Sequence, residues 1–171
     1  NVIDKMNEEF EKLQNKYNAL EKKINPSKEI EKLYVSAHNS DYDMACLIYR
    51  LYEDYFKCTS ITKNEWFYLN DEQKWNKCEG THEFHSKLTN ELLNIFNNRL
   101  KEMISIGRFE GPIHGAAQEF EEQYRATLYD KELKSIPNTI NKLKNRSYRN
   151  RIIKECSHLF YDKYLLYDKY L

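Results

Sequence analysis

The chain has 171 residues and balances 27 lysines and arginines against 27 aspartates and glutamates, a formal net charge of zero. That balance excludes a whole-surface attraction to nucleic acid or membrane, so any electrostatic partner must be read from local clusters. Four glycines and three prolines leave too little turn material for a β-rich fold, and a chain of this size buries about two thirds of its extended surface without metal or disulfide. The fourteen tyrosines and eight phenylalanines supply much of the apolar payload.

The first predicted element is a helix carrying Ile3, Met6, Phe10, Leu13, Tyr17, Leu20 and Ile24. Their alternating three- and four-residue spacing makes an a/d stripe over three heptads, flanked by glutamate and lysine. The helix is about 33 Å long at ~1.5 Å per residue. So narrow a stripe suits a seam with a helix of another chain, and equally an intramolecular hairpin. Asn25-Pro26-Ser27 ends it, with Ser27 able to cap a second helix carrying Ile30, Leu33, Tyr34 and Ala37. Residues 1–37 are thus read as an N-terminal coiled-coil segment and 38–171 as the main helical domain.

A third helix starts at Ser40, a good N-cap with Asp41 and Asp43 in its first turn. Met44, Leu47, Ile48, Leu51, Tyr52, Tyr55 and Phe56 form its inward face. Next comes NEWFYLNDEQKWNKCEG, which holds both tryptophans, Trp66 and Trp75, around the polar turn Asn70-Asp71-Glu72-Gln73. This predicts one β-hairpin over about 64–77. Exposed tryptophans can stack nucleic-acid bases, but the neighbours Glu65, Asp71, Glu72 and Glu79 offer no positive field. The expected role is packing against the helix that ends near Phe56.

Helical periodicity returns at Thr81 with Phe84, Leu88, Leu92, Ile95, Phe96, Leu100, Met103 and Ile104. SIGRFEGPIHG holds three of the four glycines and reads as the longest loop. Another helix follows with Phe120, Tyr124, Leu128 and Leu133 inward. Pro137-Asn138-Thr139 starts a short segment, and a last helix carries Ile152, Ile153, Cys156, Leu159 and Phe160. The tail repeats YDKYL at 161–165 and 167–171, an amphipathic exit segment. The fold class is mainly α: a multi-helix bundle with one small hairpin and an N-terminal heptad helix.

Catalytic motifs are missing. GxxxxGK[ST] and GxGxxG do not occur, so the chain by itself is not expected to hydrolyse nucleotides. No serine or cysteine sits in a nucleophile motif, and the acid pairs Asp41/Asp43 and Glu121/Glu122 suit helix starts and solvated faces. His82-Glu83-Phe84-His85 places its histidines three apart rather than the four of HExxH. With Cys58 and Cys78 these histidines are a zinc candidate, although the spacing matches no common zinc module. Otherwise Cys78 packs under the hairpin and the histidines face solvent. The four scattered cysteines and the lack of a signal-like or membrane-spanning apolar stretch read as free thiols in a reducing intracellular compartment, with no membrane partner.

Charge is concentrated in one place. From Leu133 to Lys154 there is no aspartate or glutamate, yet Lys134, Lys142, Lys144, Arg146, Arg149, Arg151 and Lys154 occur among Asn138, Asn141, Asn145, Tyr148 and Asn150. Lys142, Lys144, Arg146, Arg149, Arg151 and Lys154 are the candidate DNA contacts, directed at phosphates rather than base edges. A solvated basic face, or a dock for an acidic neighbour, has the same composition.

The order of SDYDMACLIYRLYEDYFKC, NEWFYLNDEQKWNKCEG, FHSKLTNELLNIF and LKNRSYRNRIIKECSHLFYD resembles one module. It is similar to the helical domain preceding the superfamily-three helicase core in poxvirus-type (D-five family) primase-helicases of large nucleocytoplasmic DNA viruses. Related segments occur in phage and plasmid primases. The matching features are the DYD helix start, the W-x-F/Y-x-N…W hairpin and the N-x-IIKEC helix, within residues 38–165; residues 1–37 lie outside. The resemblance implies a non-catalytic collar linking the parent's own primase and helicase domains, in a viral replication compartment. It implies a hexameric parent, with ATP and magnesium bound only in a following helicase domain and no cofactor in this chain. A chain starting at Asn1 rather than methionine agrees with a piece of such a protein. The reading from another class is a coiled-coil scaffold or adaptor that binds a protein partner without touching DNA.

Overall fold

The computed structural model describes residues 1–24, 26–106 and 116–165, with the side chains of 1–17, 28–105 and 130–165. Helix α1 (Val2–Ile24) is followed in sequence by α2 (Pro26–Ser36) and α3 (Asp41–Tyr52). Strands β1 (Phe56–Ser60), β2 (Glu65–Leu69) and β3 (Trp75–Lys77) follow. Then come α4 (His82–Ser86), a π-helical stretch (Lys87–Leu92), α5 (Leu93–Ile106), α6 (Ala116–Leu143) and α7 (Arg146–Leu159). The fold is mainly α with one small antiparallel sheet, as the periodicities predict. None of the described helices is long and apolar enough to cross a membrane.

Helix starts follow local chemistry, with one correction. Ser40 is extended (φ −159°), and its Oγ accepts the Asp43 amide at 3.1 Å, making it the N-cap of α3. Pro26 occupies the first position of α2, so Ser27 lies inside the helix rather than capping it. Proline suits that position because its fixed φ is already helical and its missing N–H would have no partner there.

The predicted hairpin is present, with Leu69 opposite Trp75 and Phe67 opposite Lys77. Its turn closes as expected: the Gln73 amide reaches the Asn70 carbonyl at 3.0 Å, and the Lys74 amide reaches Asn70 Oδ1 at 2.9 Å. A third strand was not anticipated. Helix α3 stops at Tyr52, and Phe56 enters β1, pairing with Tyr68. Phe56 therefore reaches the core from a strand, while Tyr55 is exposed. Phe56 and Cys58 are buried with Lys57 half-buried between them, the period of a strand rather than a helix, and Thr59, at the register shift between Cys58 and Ser60, is buried as well. Beyond α7, the first YDKYL repeat adds to the free edge of β1. The Cys58 amide meets the Phe160 carbonyl at 3.0 Å, and the Asp162 amide meets the Cys58 carbonyl at 2.8 Å. Leu165 is buried, and the second repeat lies outside the described residues.

Between sheet and helices sits an aromatic core. Phe56 stacks on Phe84 with ring centroids 4.6 Å apart, and Trp66 meets Phe84 and Phe160 edge-on at 4.9 and 5.5 Å. Trp66 is fully buried, its indole N–H donating to Asn64 Oδ1 at 2.9 Å. Its ring meets Phe84 of α4 and Phe160 at the end of α7, in one core cluster with Tyr52 at the end of α3, and Trp75 is half-buried at the sheet edge. Leu33, Tyr34 and Ala37 tie α2 to the same core.

The helix after the sheet buries Phe84, Leu88, Leu92 and Phe96 completely. Four-residue steps drift by about 40° each on an α-helix, roughly 120° over the set. The wider π stretch over Lys87–Leu92 takes up that drift and keeps the four on one face. Ile104, the last residue of that apolar series, is exposed. The predicted loop beyond Ile106 and the side chains of Phe120, Tyr124 and Leu128 lie outside the described residues. Helix α6 runs through Pro137 rather than restarting there. Proline removes an amide donor and crowds the carbonyl four residues back, but Ile136, Thr139, Ile140 and Leu143 are all buried around it. Tertiary burial overrides the local penalty.

Candidate nucleic-acid interface

The basic stretch forms the junction between the end of α6 and the start of α7. Asn145 makes the corner: its Oδ1 accepts the amides of Ser147 and Tyr148 at 2.9 and 3.3 Å, capping α7. Tyr148 then points inward and is buried, with its phenol pushed up to about 12, chiefly by burial and then by the Asp41 charge. Inward Tyr148, Ile152, Ile153 and Cys156 set the opposite side of α7 toward solvent.

The six candidate residues divide into two groups. Lys144, Arg146 and Lys154 are exposed and make no ion pair among the described residues. The other three have intramolecular work. Arg151 Nε donates to Asp41 Oδ2 at 2.6 Å and Nη2 to Oδ1 at 3.4 Å, tying α7 to the start of α3. Lys142 and Arg151 lie against the Tyr148 ring, 5.9 and 5.2 Å from its centroid. Arg149 is half-buried; its Nη1 donates to the Leu143 carbonyl at 2.9 Å, closing the end of α6.

His85 joins this junction from α4, over a separation that no local pattern announces. Arg149 Nε donates to its Nδ1 at 3.0 Å, and its Nε2 is 2.8 Å from Asn150 Oδ1. With Nδ1 accepting, Nε2 carries the proton and donates to Asn150, so the ring is neutral. Burial lowers its pKa first, and the charges of Arg149, Arg146 and His82 lower it further, against the Asn150 bond. Both ring nitrogens are therefore engaged. Cys58 and Cys78 are buried in and beside the sheet; burial pushes the Cys58 thiol up to about 11 and raises Cys78 as well. Among the described residues, no three histidine, cysteine, aspartate or glutamate side chains are grouped to hold a metal. The four zinc candidates are not brought together.

Along α1 the stripe faces solvent. Ile3, Met6, Phe10, Leu13 and Tyr17 are each between 64 and 68% exposed. The side chains of Leu20 and Ile24 lie outside the described residues.

Sequence patterns also missed a buried polar network. Glu132 of α6 is 1% exposed. Arg99 of α5 covers it with Nε on Oε1 and Nη2 on Oε2, and reaches Glu31 of α2 with the same guanidinium, Nη2 to Oε1 at 2.6 Å. His38 Nε2 lies 3.3 Å from Glu132 Oε1, and its Nδ1 lies 2.6 Å from Thr139 Oγ1. Burial alone would raise the Glu132 carboxyl, but bonds from Arg99 and His38 outweigh it and hold the group below the ordinary glutamate range. Glu31, Arg99, Glu132 and Thr139 occupy polar helix positions that, read locally, look solvated, and His38 lies in the turn between α2 and α3.

No family model matches the chain. It is similar to the Acanthamoeba polyphaga mimivirus protein named "Putative helicase L207/L206", with 23% identity over 123 residues, 72% of this chain. The chain spans 12% of that protein's length.

Proposed function

We propose that this chain is a non-catalytic collar or linker domain of a viral primase-helicase, helping subunits associate and guiding DNA toward an ATP-driven motor. The observation that carries the reading is the similarity to the mimivirus protein named "Putative helicase L207/L206" along most of the chain, within a small part of that protein. The surface of Lys144, Arg146 and Lys154, which make no ion pair among the described residues, supports DNA contact, because such cations release counterions from phosphates at no cost to internal ion pairs. The solvent-facing stripe of α1 supports association with other subunits of the parent, a hexamer on this reading. ATP and magnesium then belong to a neighbouring helicase domain.

Titrating a fluorescein-labelled DNA duplex with the full chain at several salt concentrations tests the DNA role. Three to four phosphate contacts give a log–log salt slope of about −3. Changing Lys144, Arg146 and Lys154 to glutamate should flatten most of that slope. Binding too weak to measure at low salt would remove DNA guidance. It would leave the adaptor reading, which the exposed α1 stripe favours.

A further inference from the structure

The chain carries its own standard for how an arginine is paired. Arg99 turns Nε and Nη2 onto the two oxygens of Glu132, and Arg151 turns the same two nitrogens onto Asp41. That edge of the guanidinium presents two parallel N–H groups at the spacing of two oxygens on a carboxylate or phosphate. In Arg149 the same edge meets no anion among the described residues. Nε donates to neutral His85, Nη1 is held by the Leu143 carbonyl, and Nη2 makes no hydrogen bond among the described residues. Arg146 stands one turn earlier on α7, whose first turn holds no acidic residue. Helix starts favour negative charge, so two arginines there raise the local positive potential further.

We propose that Arg149, Arg146 and His85 form a seat for a backbone phosphate of DNA. The phosphate takes the Nε and Nη2 edge of Arg149, and His85, released from Nε, takes up a proton and becomes a further cation on it. The choice of a DNA phosphate rests on the functional reading above, and exposed Lys144 lies two residues before Arg146 at the same corner.

The proton follows from donor counting. In the free chain, Nδ1 of His85 must accept from Arg149. Protonating it would set two N–H groups against each other, so the Arg149 bond and the proton exclude one another. A phosphate oxygen accepts from both and removes the conflict. The groups acting on the ring are Arg149, Arg146 and Asn150 from α7 and His82 from its own helix, with no carboxylate among them. Binding is therefore linked to proton uptake, and affinity rises as the pH falls through the histidine range.

Two measurements on the full chain separate this seat from the reading it rests on. In the first, the His85 ring is titrated by NMR with and without inorganic phosphate. Phosphate should raise its midpoint by up to about one unit, a tenfold coupling; superimposable curves would overturn the seat. In the second, binding of a labelled DNA duplex is followed from about pH 8 to about pH 5.5 at constant ionic strength. Wild-type affinity should rise several-fold toward acid, and His85→Gln should flatten that profile. Arg149→Gln should weaken binding and reduce the salt slope by about 1. Duplex binding whose pH profile survives His85→Gln unchanged overturns the seat. Undetectable duplex binding overturns the DNA reading, and with it the assignment of the phosphate to DNA.

Discussion

Arg99 lays the Nε/Nη2 edge of its guanidinium on Glu132, a carboxylate with no exposed side-chain surface, closing Nη2–Oε2 at 2.8 Å. The pair joins α5 to α6, and the second arm to Glu31 brings in α2. Removing one partner strands a buried charge, which costs about 3–5 kcal/mol. Arg99→Met and Glu132→Leu should each destabilise the chain on that scale in urea denaturation. The double replacement should cost less than the sum of the two, because no buried charge is then left alone; Glu31, which also loses Arg99, is half in solvent. Strictly additive losses would mean the pair is not coupled.

Acid should unfold the chain in two stages. His85 is neutral in the fold with its pKa lowered, so its contribution is complete above the unfolded value of about 6.5 and is lost as the pH falls below it. Glu132 titrates below its unfolded value of about 4.3, so its contribution holds above that pH and is lost as the pH falls through the folded value. Melting temperatures should decline gently below about pH 6.5 and steeply below about pH 4.3. His85→Gln should remove the gentle stage and leave the steep one. A wild-type melting temperature that stays level down to about pH 5 would contradict the assignment of neutral His85.

The two tryptophans should differ sharply in energetic weight. Trp66→Ala empties a fully buried position between Phe84 and Phe160 and should cost about 3–5 kcal/mol. Trp75→Ala, at the half-buried sheet edge, should cost clearly less. Intrinsic fluorescence gives an independent check: the Trp75→Ala variant, emitting from Trp66 alone, should be blue-shifted and resist quenching by iodide. Equal costs and equal quenching would restore a surface role for Trp66.

Leu13→Asp places a charge in the middle of the α1 stripe, at a site 66% exposed in the single chain. Sedimentation should show self-association of the wild type and its loss in the variant, with the melting transition of the core unchanged. A wild type that stays monomeric at high concentration would end the assembly role of α1.

Much of the fold could be read locally. The i, i+3, i+4 rows of α3 and α7 and the Ser40 cap belong to segments whose neighbours in sequence are also neighbours in space. The polar turn between the tryptophans is legible for the same reason. Strand β1 was missed because Tyr52, Tyr55 and Phe56 continue a helical spacing, and only pairing with Tyr68 and Trp66 selects the extended form. Pro137 was misread because its penalty is local, whereas the burial of Ile136, Ile140 and Leu143 that outweighs it is not.

By itself, the sequence determined the mainly helical class, the hairpin, the heptad row and the position of the basic stretch, since each depends on periodicity or composition within one segment. Only the tertiary structure decided which charges remain available. Arg149 and Arg151 have the same composition and lie two residues apart, yet one meets Asp41 and the other a neutral histidine. The Asp41 carboxylate is 110 residues from Arg151 along the chain, and the His85 ring is 64 from Arg149. An ion pair depends on separation in space, and at those chain distances separation is set by how the helices pack.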